Sequence, residues 1–157
     1  MLLMSLFPSS AKDIMKIIIF KQENGNAAVI VPTAEYLQDH TIEECAAKDV
    51  PAGAEFHIIE EEDLPQEHND FFNAWEVDSG KIRICHTKAQ GITKDRLRAE
   101  RAPLLTALDV QYQRAQEDGR DTTIIISEKQ RLRDVTKLAD NATTLEELKS
   151  LSILAAN

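Results

Sequence analysis

The spacing of apolar residues changes character about halfway along the chain. In "KIIIFKQENGNAAVIVP", residues 16–32, two runs rich in β-branched side chains flank Asn24-Gly25-Asn26. Asn and Gly tolerate the positive φ of a tight reverse turn, so the stretch predicts a β-hairpin. Pro32 ends it, having no N–H to give to a ladder. A short helix is expected over "TAEYLQDH", residues 33–40. Thr41 followed three residues later by Glu44 is a capping-box pattern and opens a second short helix, "IEECAAKD". After the turn "VPAG", a third strand is expected over residues 55–63 and a loop over 64–70. "FFNAWEVDSGKIRICH", residues 71–86, alternates at Trp75, Val77, Ile82 and Ile84 around Asp78-Ser79-Gly80 and predicts a second hairpin.

From Thr87 onward the period becomes helical. Leu97, Leu104, Leu108, Tyr112 and Ala115 recur at spacings of 7, 4, 4 and 3, which places them on one face. Pro103 removes a backbone donor and crowds the preceding turn, so a kink is expected there. Gly119 suits a helix stop, and Asp121 suits the cap of the next helix. The opening of "TTIIISEKQRLRDVTKLAD", residues 122–140, is β-branched and suits a strand too. The helical spacing of Ile125, Leu132, Val135 and Ala139 decides for a helix. Thr143 to Glu146 reads as another capping box, starting a last helix with a stripe of Leu145, Leu148 and Leu151.

The fold class expected is therefore α+β. A small hairpin-containing domain over residues 15–86 precedes a helical region over 87–157, built as a helical hairpin plus a short last helix. Residues 1–14 read as a translated leader. "MLLMSLFPSSAKDIM" lacks the basic start and the long apolar run of a signal peptide, and Met15 before "KIIIF" reads as the start. Codons for Lys12-Asp13 can also spell a purine-rich, ribosome-binding-like stretch just upstream of Met15.

Charge sharpens the division. Residues 1–80 carry four lysines and no arginine against sixteen acids, a net of -12, whereas residues 81–157 net +3. An acidic front half argues against nucleic acid as partner, because phosphate binding needs clustered cations. No apolar run approaches the ~20 residues of a membrane span. Cys45 and Cys85 have no metal-ligand spacing and read as free thiols. His40, His57, His68 and His86 are scattered, and "EEED" at residues 60–63 lacks the alternation and glycine of a calcium loop. No nucleophile elbow or phosphate-cradling glycine loop occurs in the sequence. The reading is non-enzymatic, with no catalytic, cofactor or metal residues. Phe71, Phe72 and Trp75 form the one aromatic cluster, either core anchors or an exposed contact.

Three stretches carry a resemblance: "KDVPAGAEFHIIEEEDLP", "FFNAWEVDSGKI" and "RLRAERAPLLTALDVQYQRAQEDG", the last continuing through "KQRLRDVT" and "ATTLEELKSL". Together they resemble small proteins encoded in phage and prophage tail regions. The back half resembles the phage tail assembly chaperone region, where an arginine-rich helix leads into an "LL…D" segment and a second helix closes with "LRD", here Leu132-Arg133-Asp134. The resemblance implies a chaperone-like tail or tail-fibre assembly protein made in the host bacterial cytoplasm. The alternative it implies is a permanent virion component of the tail tip or fibre. The partner would be a tail or tail-fibre protein, and the arrangement permits a homo-oligomer. The contact residues expected are Leu104, Leu105, Leu108 and Tyr112 as an apolar stripe, with Arg96, Arg98, Arg101 and Arg133 beside them. The competing expectation packs that stripe against the Ile125 and Leu132 face within the chain.

Overall fold

The computed structural model describes residues 15–155, so the leader reading of residues 1–14 lies outside the described residues. The chain is α+β, as its patterning predicts, and divides into two compact units. Of the described residues, one takes in 15–66 together with Val77–Ile82, and the other Glu67–Glu76 with 83–155. The sequence places a boundary at residue 86, whereas the units part within the second hairpin. Its tip belongs to the first unit and its base to the second.

The first unit is built on a three-stranded antiparallel sheet in the order β2-β1-β3, with β1 at Lys16–Lys21, β2 at Ala27–Ile30 and β3 at Phe56–Glu60. Central position explains why β1 reads as an unbroken apolar run. Ile17, Ile18 and Ile19 are wholly buried, so both faces of the strand are covered. Register pairs Ile18 with Ile30 on one side and with Ile58 on the other. All three join Cys45, Ala46, Ile42 and Val50 in one apolar cluster. The last four come from α2 (Ile42–Asp49) and its end, preceded by α1 (Tyr36–Asp39). The predicted capping box is present: Glu44 N–H donates to Thr41 Oγ1 at 3.2 Å, and Thr41 N–H donates to Glu44 Oε2 at 2.9 Å. In the first hairpin only Gly25 takes a positive φ, because the loop is longer than a two-residue turn and closes through Gln22 N–H to Asn26 O at 2.8 Å. The expected strand over 55–63 stops at Glu60, and Glu61–Asp63 form a 3-10 turn.

The second hairpin pairs β4 (Trp75–Asp78) with β5 (Lys81–Ile84). Ser79 at φ 53 and Gly80 at φ 78 supply the two left-handed residues that a two-residue turn of matching twist requires. Before it, Gln66–Ala74 is 3-10 in character rather than loop and strand, with His68 and Phe71 outside helical dihedrals.

The second unit is organised around α3, His86–Glu117, a helix of 32 residues and so about 48 Å long. It runs on through Pro103 as one helix. Gly119, at φ 66, ends it as expected: Arg120 N–H reaches Ala115 O at 2.8 Å and Gly119 N–H reaches Gln116 O at 3.1 Å, the paired bonds of a Schellman stop. Asp121 Oδ1 then accepts from Thr123 N–H at 2.9 Å, opening α4 (Thr123–Asp134). α5 (Lys137–Asn141) and α6 (Leu145–Ser150) follow. The cap of α6 is Thr144 with Glu147, one residue later than the sequence suggests. Thr143 N–H still donates to the Glu147 carboxylate, at 2.6 Å. Phe71, Ala74, Ala89, Ala139, Ala142 and Leu148 form the buried core, with Ile84, Ile92, Leu145 and Leu151 against it. The predicted stripe of α6 is therefore a core element.

Two outcomes test these assignments. A Cβ on Gly80 would stand 3.2 Å from His57 Nδ1 as well as forcing a strained φ, whereas one on Gly25 meets nothing within 4 Å. Gly80→Ala is expected to lower stability in urea unfolding by about 2 kcal/mol, and Gly25→Ala by about 1. Second, N–H donation from Thr143 and Thr144, with the Thr143 hydroxyl, holds the Glu147 carboxyl below its ordinary pKa. A carboxylate depressed in the folded state stabilises above its unfolded pKa, and that contribution is lost as pH falls through the folded value. The thermal midpoint should therefore drop on acidification through the carboxylate range, and the drop should be shallower in Glu147→Gln.

Candidate interaction surface

Helices leave their last carbonyls without partners, and in the second unit those carbonyls are met by side chains of α3. Arg96 donates to the carbonyls of Leu148 at 3.2 Å, Lys149 at 3.4 Å and Leu151 at 2.7 Å, closing the C-terminal end of α6. Arg101 donates to Leu132 O at 3.1 Å and Arg133 O at 2.7 Å, closing α4. His86 Nε2 donates to Ala142 O at 2.9 Å, just past α5; since a carbonyl only accepts, the proton sits on Nε2. Lys94 pairs with Asp140 of the same helix. Elsewhere in the unit Arg131 forks onto Glu128 at 2.7 and 2.8 Å and gives its remaining arm to Ile153 O at 2.8 Å. That fork holds the Glu128 carboxyl below its ordinary pKa and raises the guanidinium.

The arginines expected at a partner thus divide. Arg96 and Arg101 are bonded to backbone within the fold. Arg98 is exposed and pairs with Asp95 one turn back at 2.6 Å, and Arg133 is exposed on α4. The apolar stripe divides too. Leu105, Leu108 and Tyr112 are half-buried. They share a helical face with Arg101, which holds the end of α4. Lys129 of α4 spans that face, pairing with Asp109 at 2.5 Å and lying 5.0 Å over the Tyr112 ring. α3 and α4 thus meet on this side through Lys129, Asp109 and Tyr112. Leu104 lies at the edge of that face and is 43% exposed.

Opposite the α4 contact, the second half of α3 has a face that sequence reasoning overlooked. Ala102, Pro103, Leu104, Thr106, Ala107, Val110, Gln111 and Gln113 are all exposed, and not one is charged. Their position follows from the helical period. Ala107 and Val110 lie eighteen residues, about five full turns, beyond Ala89 and Ile92. Ala89 and Ile92 are the α3 residues in the core with Leu145, Leu148 and Leu151. The same small-and-branched pair therefore recurs on the same side of the helix, first under α6 and then uncovered. Ile124 and Ile126 of α4 add apolar side chains 81% and 50% exposed. The readable signal was the absence of charge between Arg101 and Arg114 apart from Asp109, a salt-bridged residue.

The remaining candidates are quickly placed. Phe71 and Trp75 are buried, whereas Phe72 is exposed with its ring 5.0 Å from the Trp75 indole. Cys45 is buried and free, its thiol pushed up by burial and then by the neighbouring Asp49 carboxylate; Cys85 is also free. In the first unit a cleft of about 400 Å³ is lined by Lys21, Glu23, Glu55, His57, Val77 and Ser79, with His57 Nε2 3.7 Å from Glu55. Among the described residues no three His, Cys, Asp or Glu side chains converge as a metal site, and no helix is long and apolar enough to cross a membrane. Comparison with family models, with curated proteins and with solved structures finds no match for this chain.

Assigning Arg96 to the α6 terminus has a measurable consequence. Arg96→Met should destabilise the chain by about 1–2 kcal/mol in urea unfolding, because three carbonyls lose their donor. Arg98→Met, which loses only a solvated ion pair, should stay within about 0.5 kcal/mol of the parent. Equal effects would contradict the division drawn between the two arginines.

Proposed function

We propose that the chain is a non-enzymatic, chaperone-like assembly protein of a phage tail or tail fibre, working through protein–protein contacts in the host bacterial cytoplasm. The observation that carries the contact reading is the uncharged outward face of α3 between Ala102 and Gln113. In a 29% charged chain, twelve consecutive helical residues whose one charge, Asp109, is paired with Lys129 leave a surface suited to an apolar partner. The recurrence of Ala89 and Ile92 as Ala107 and Val110 indicates the partner's form, a short leucine-striped helix that seats as α6 does. The tail context rests on the sequence resemblance of residues 48–65, 71–82 and the arginine-rich helix with its "LRD" partner. In this reading Leu104 with Arg98 and Arg133 remain as contacts at the margin, and Leu105, Leu108 and Tyr112 hold the arm together.

The test is quantitative mass spectrometry of purified particles and of soluble lysate from the induced source strain. The expected result is the polypeptide in the soluble fraction, co-purifying with a tail or tail-fibre protein, and absent from finished particles. Val110→Glu should abolish that co-purification while leaving the circular dichroism spectrum unchanged. Fixed stoichiometry in particles would instead make the chain a permanent virion component. Recovery with no tail protein in either fraction would refute the tail reading.

A further inference from the structure

The first unit offers a different surface, made of backbone and charge. β3 is an outer strand of its sheet. The phase of its hydrogen bonds follows from two end contacts. Glu61 N–H donates to Met15 O at 2.8 Å, continuing the β1–β3 ladder, so Ile59 and His57, paired with Ile17 and Ile19, also direct their backbone groups to β1. Gln22 N–H to Asn26 O sets the opposite phase on the β2 side, as a central strand requires. The backbone groups of Phe56 and Ile58 and the N–H of Glu60 therefore face outward, the Glu60 carbonyl being the N-cap of the next turn, with no further strand beyond them among the described residues. Phe56 is 37% exposed and Ile58 half-buried, so the edge has apolar side chains beside its open donors and acceptors.

Charge selects the occupant. Glu55 lies at one end of the strand and Glu60, Glu61, Glu62 and Asp63 at the other. Across residues 15–66 and 77–82, four lysines stand against twelve acids, a net of -8. Two copies meeting β3 to β3 would bring these acids together, so self-pairing is opposed. The other outer strand, β2, carries no charge along Ala27–Ile30, and Pro32 follows it closely. Acids and an open row of backbone groups coincide at β3.

We infer that the outward edge of β3 at Phe56, Ile58 and Glu60, flanked by Glu55 and Glu60–Asp63, adds an extended, lysine- or arginine-rich segment of a partner protein as a fourth strand. Main-chain bonds to the three outward residues supply affinity. Alternate apolar side chains of the partner lie beside Phe56 and Ile58, and its cations meet the acids at the strand ends. This inference stands apart from the tail-assembly reading, and the experiment below needs neither particles nor a tail protein.

The probe is the fluorescein-labelled heptapeptide Lys-Val-Lys-Val-Lys-Val-Lys, titrated with the full chain and read by fluorescence anisotropy. It should bind, progressively less as salt is raised, while the counterpart with glutamate at every lysine should not. Glu60 sits at φ -83 and ψ 143, a backbone conformation proline accepts, and its N–H points away from β1. Glu60→Pro should therefore keep the fold and weaken binding about tenfold, against about two- to threefold for Glu60→Gln, which removes only the charge. Peptides N-methylated on alternate residues, in each of the two phases, test the same bonds from the ligand side with the unaltered protein. At least one phase should lose binding. Equal binding of the glutamate peptide, of Glu60→Pro and Glu60→Gln, or of both methylated peptides and the parent would overturn the proposal.

Discussion

The second unit depends on satisfying carbonyls at helix ends. α5 and α6 span five and six residues, too short to be stable as isolated helices, and each ends in a carbonyl row that costs free energy if buried unpaired. α3 answers these ends from one side, with His86 at α5, Arg96 at α6 and Arg101 at the end of α4. Guanidinium suits the task because one planar group can reach several acceptors and stays charged at every relevant pH. The cationic head also lies favourably at the negative end of each short helix. Apolar contacts of Ala89, Ile92 and Leu148 bury area, but the arginines set which turn of α3 each helix end must face. Packing and polar satisfaction thus specify one arrangement, where packing alone would tolerate a slide along the helix.

That division of labour explains why the charge of the back half misleads when read from sequence. A run such as "KDRLRAER" reads as a solvated helix face of mixed charge. Arg96 and Arg101 are committed to backbone 31 to 55 residues away in the chain. Sequence spacing reports which face of a helix a residue occupies, and it is silent on whether a distant helix will end there. The same limit holds for Leu105, Leu108 and Tyr112. Their periodicity is visible, but their cover, α4, is fixed by contacts between distant residues, Lys129 with Asp109 and Tyr112 and Arg101 with the end of α4.

Local chemistry was far more legible. The Thr41–Glu44 box, the Gly119 stop and the Ser79-Gly80 turn each depend on a few adjacent residues, and each forms where its pattern lies. Displacements came where two adjacent residues compete for one role. Thr143 and Thr144 both address Glu147, and geometry gives the cap to the second. At Pro103 the missing donor is a local fact, and α3 continues past it, with Leu97 and Arg101 held before it and Ala115 buried after it. The stretch after β3 was misread for want of pattern, since "LPQEHNDFFNA" has neither strand alternation nor a helical stripe.

The two units end with opposite kinds of residual capacity, and the reason lies in how each met its polar groups. In the second, side chains of α3 are bonded to carbonyls or acids, so what stays outward on Ala102–Gln113 is shape with a single charge, Asp109, that Lys129 pairs. A partner there gains by covering apolar area and has little to align it except the ridge spacing of a helix. In the first, a three-stranded sheet cannot satisfy the outward backbone of its own edge, and the unit around it carries a net charge of -8. A partner there gains register from main-chain bonds and selectivity from charge. An apolar helix fits the first description and a basic strand the second, and neither ligand suits the other surface.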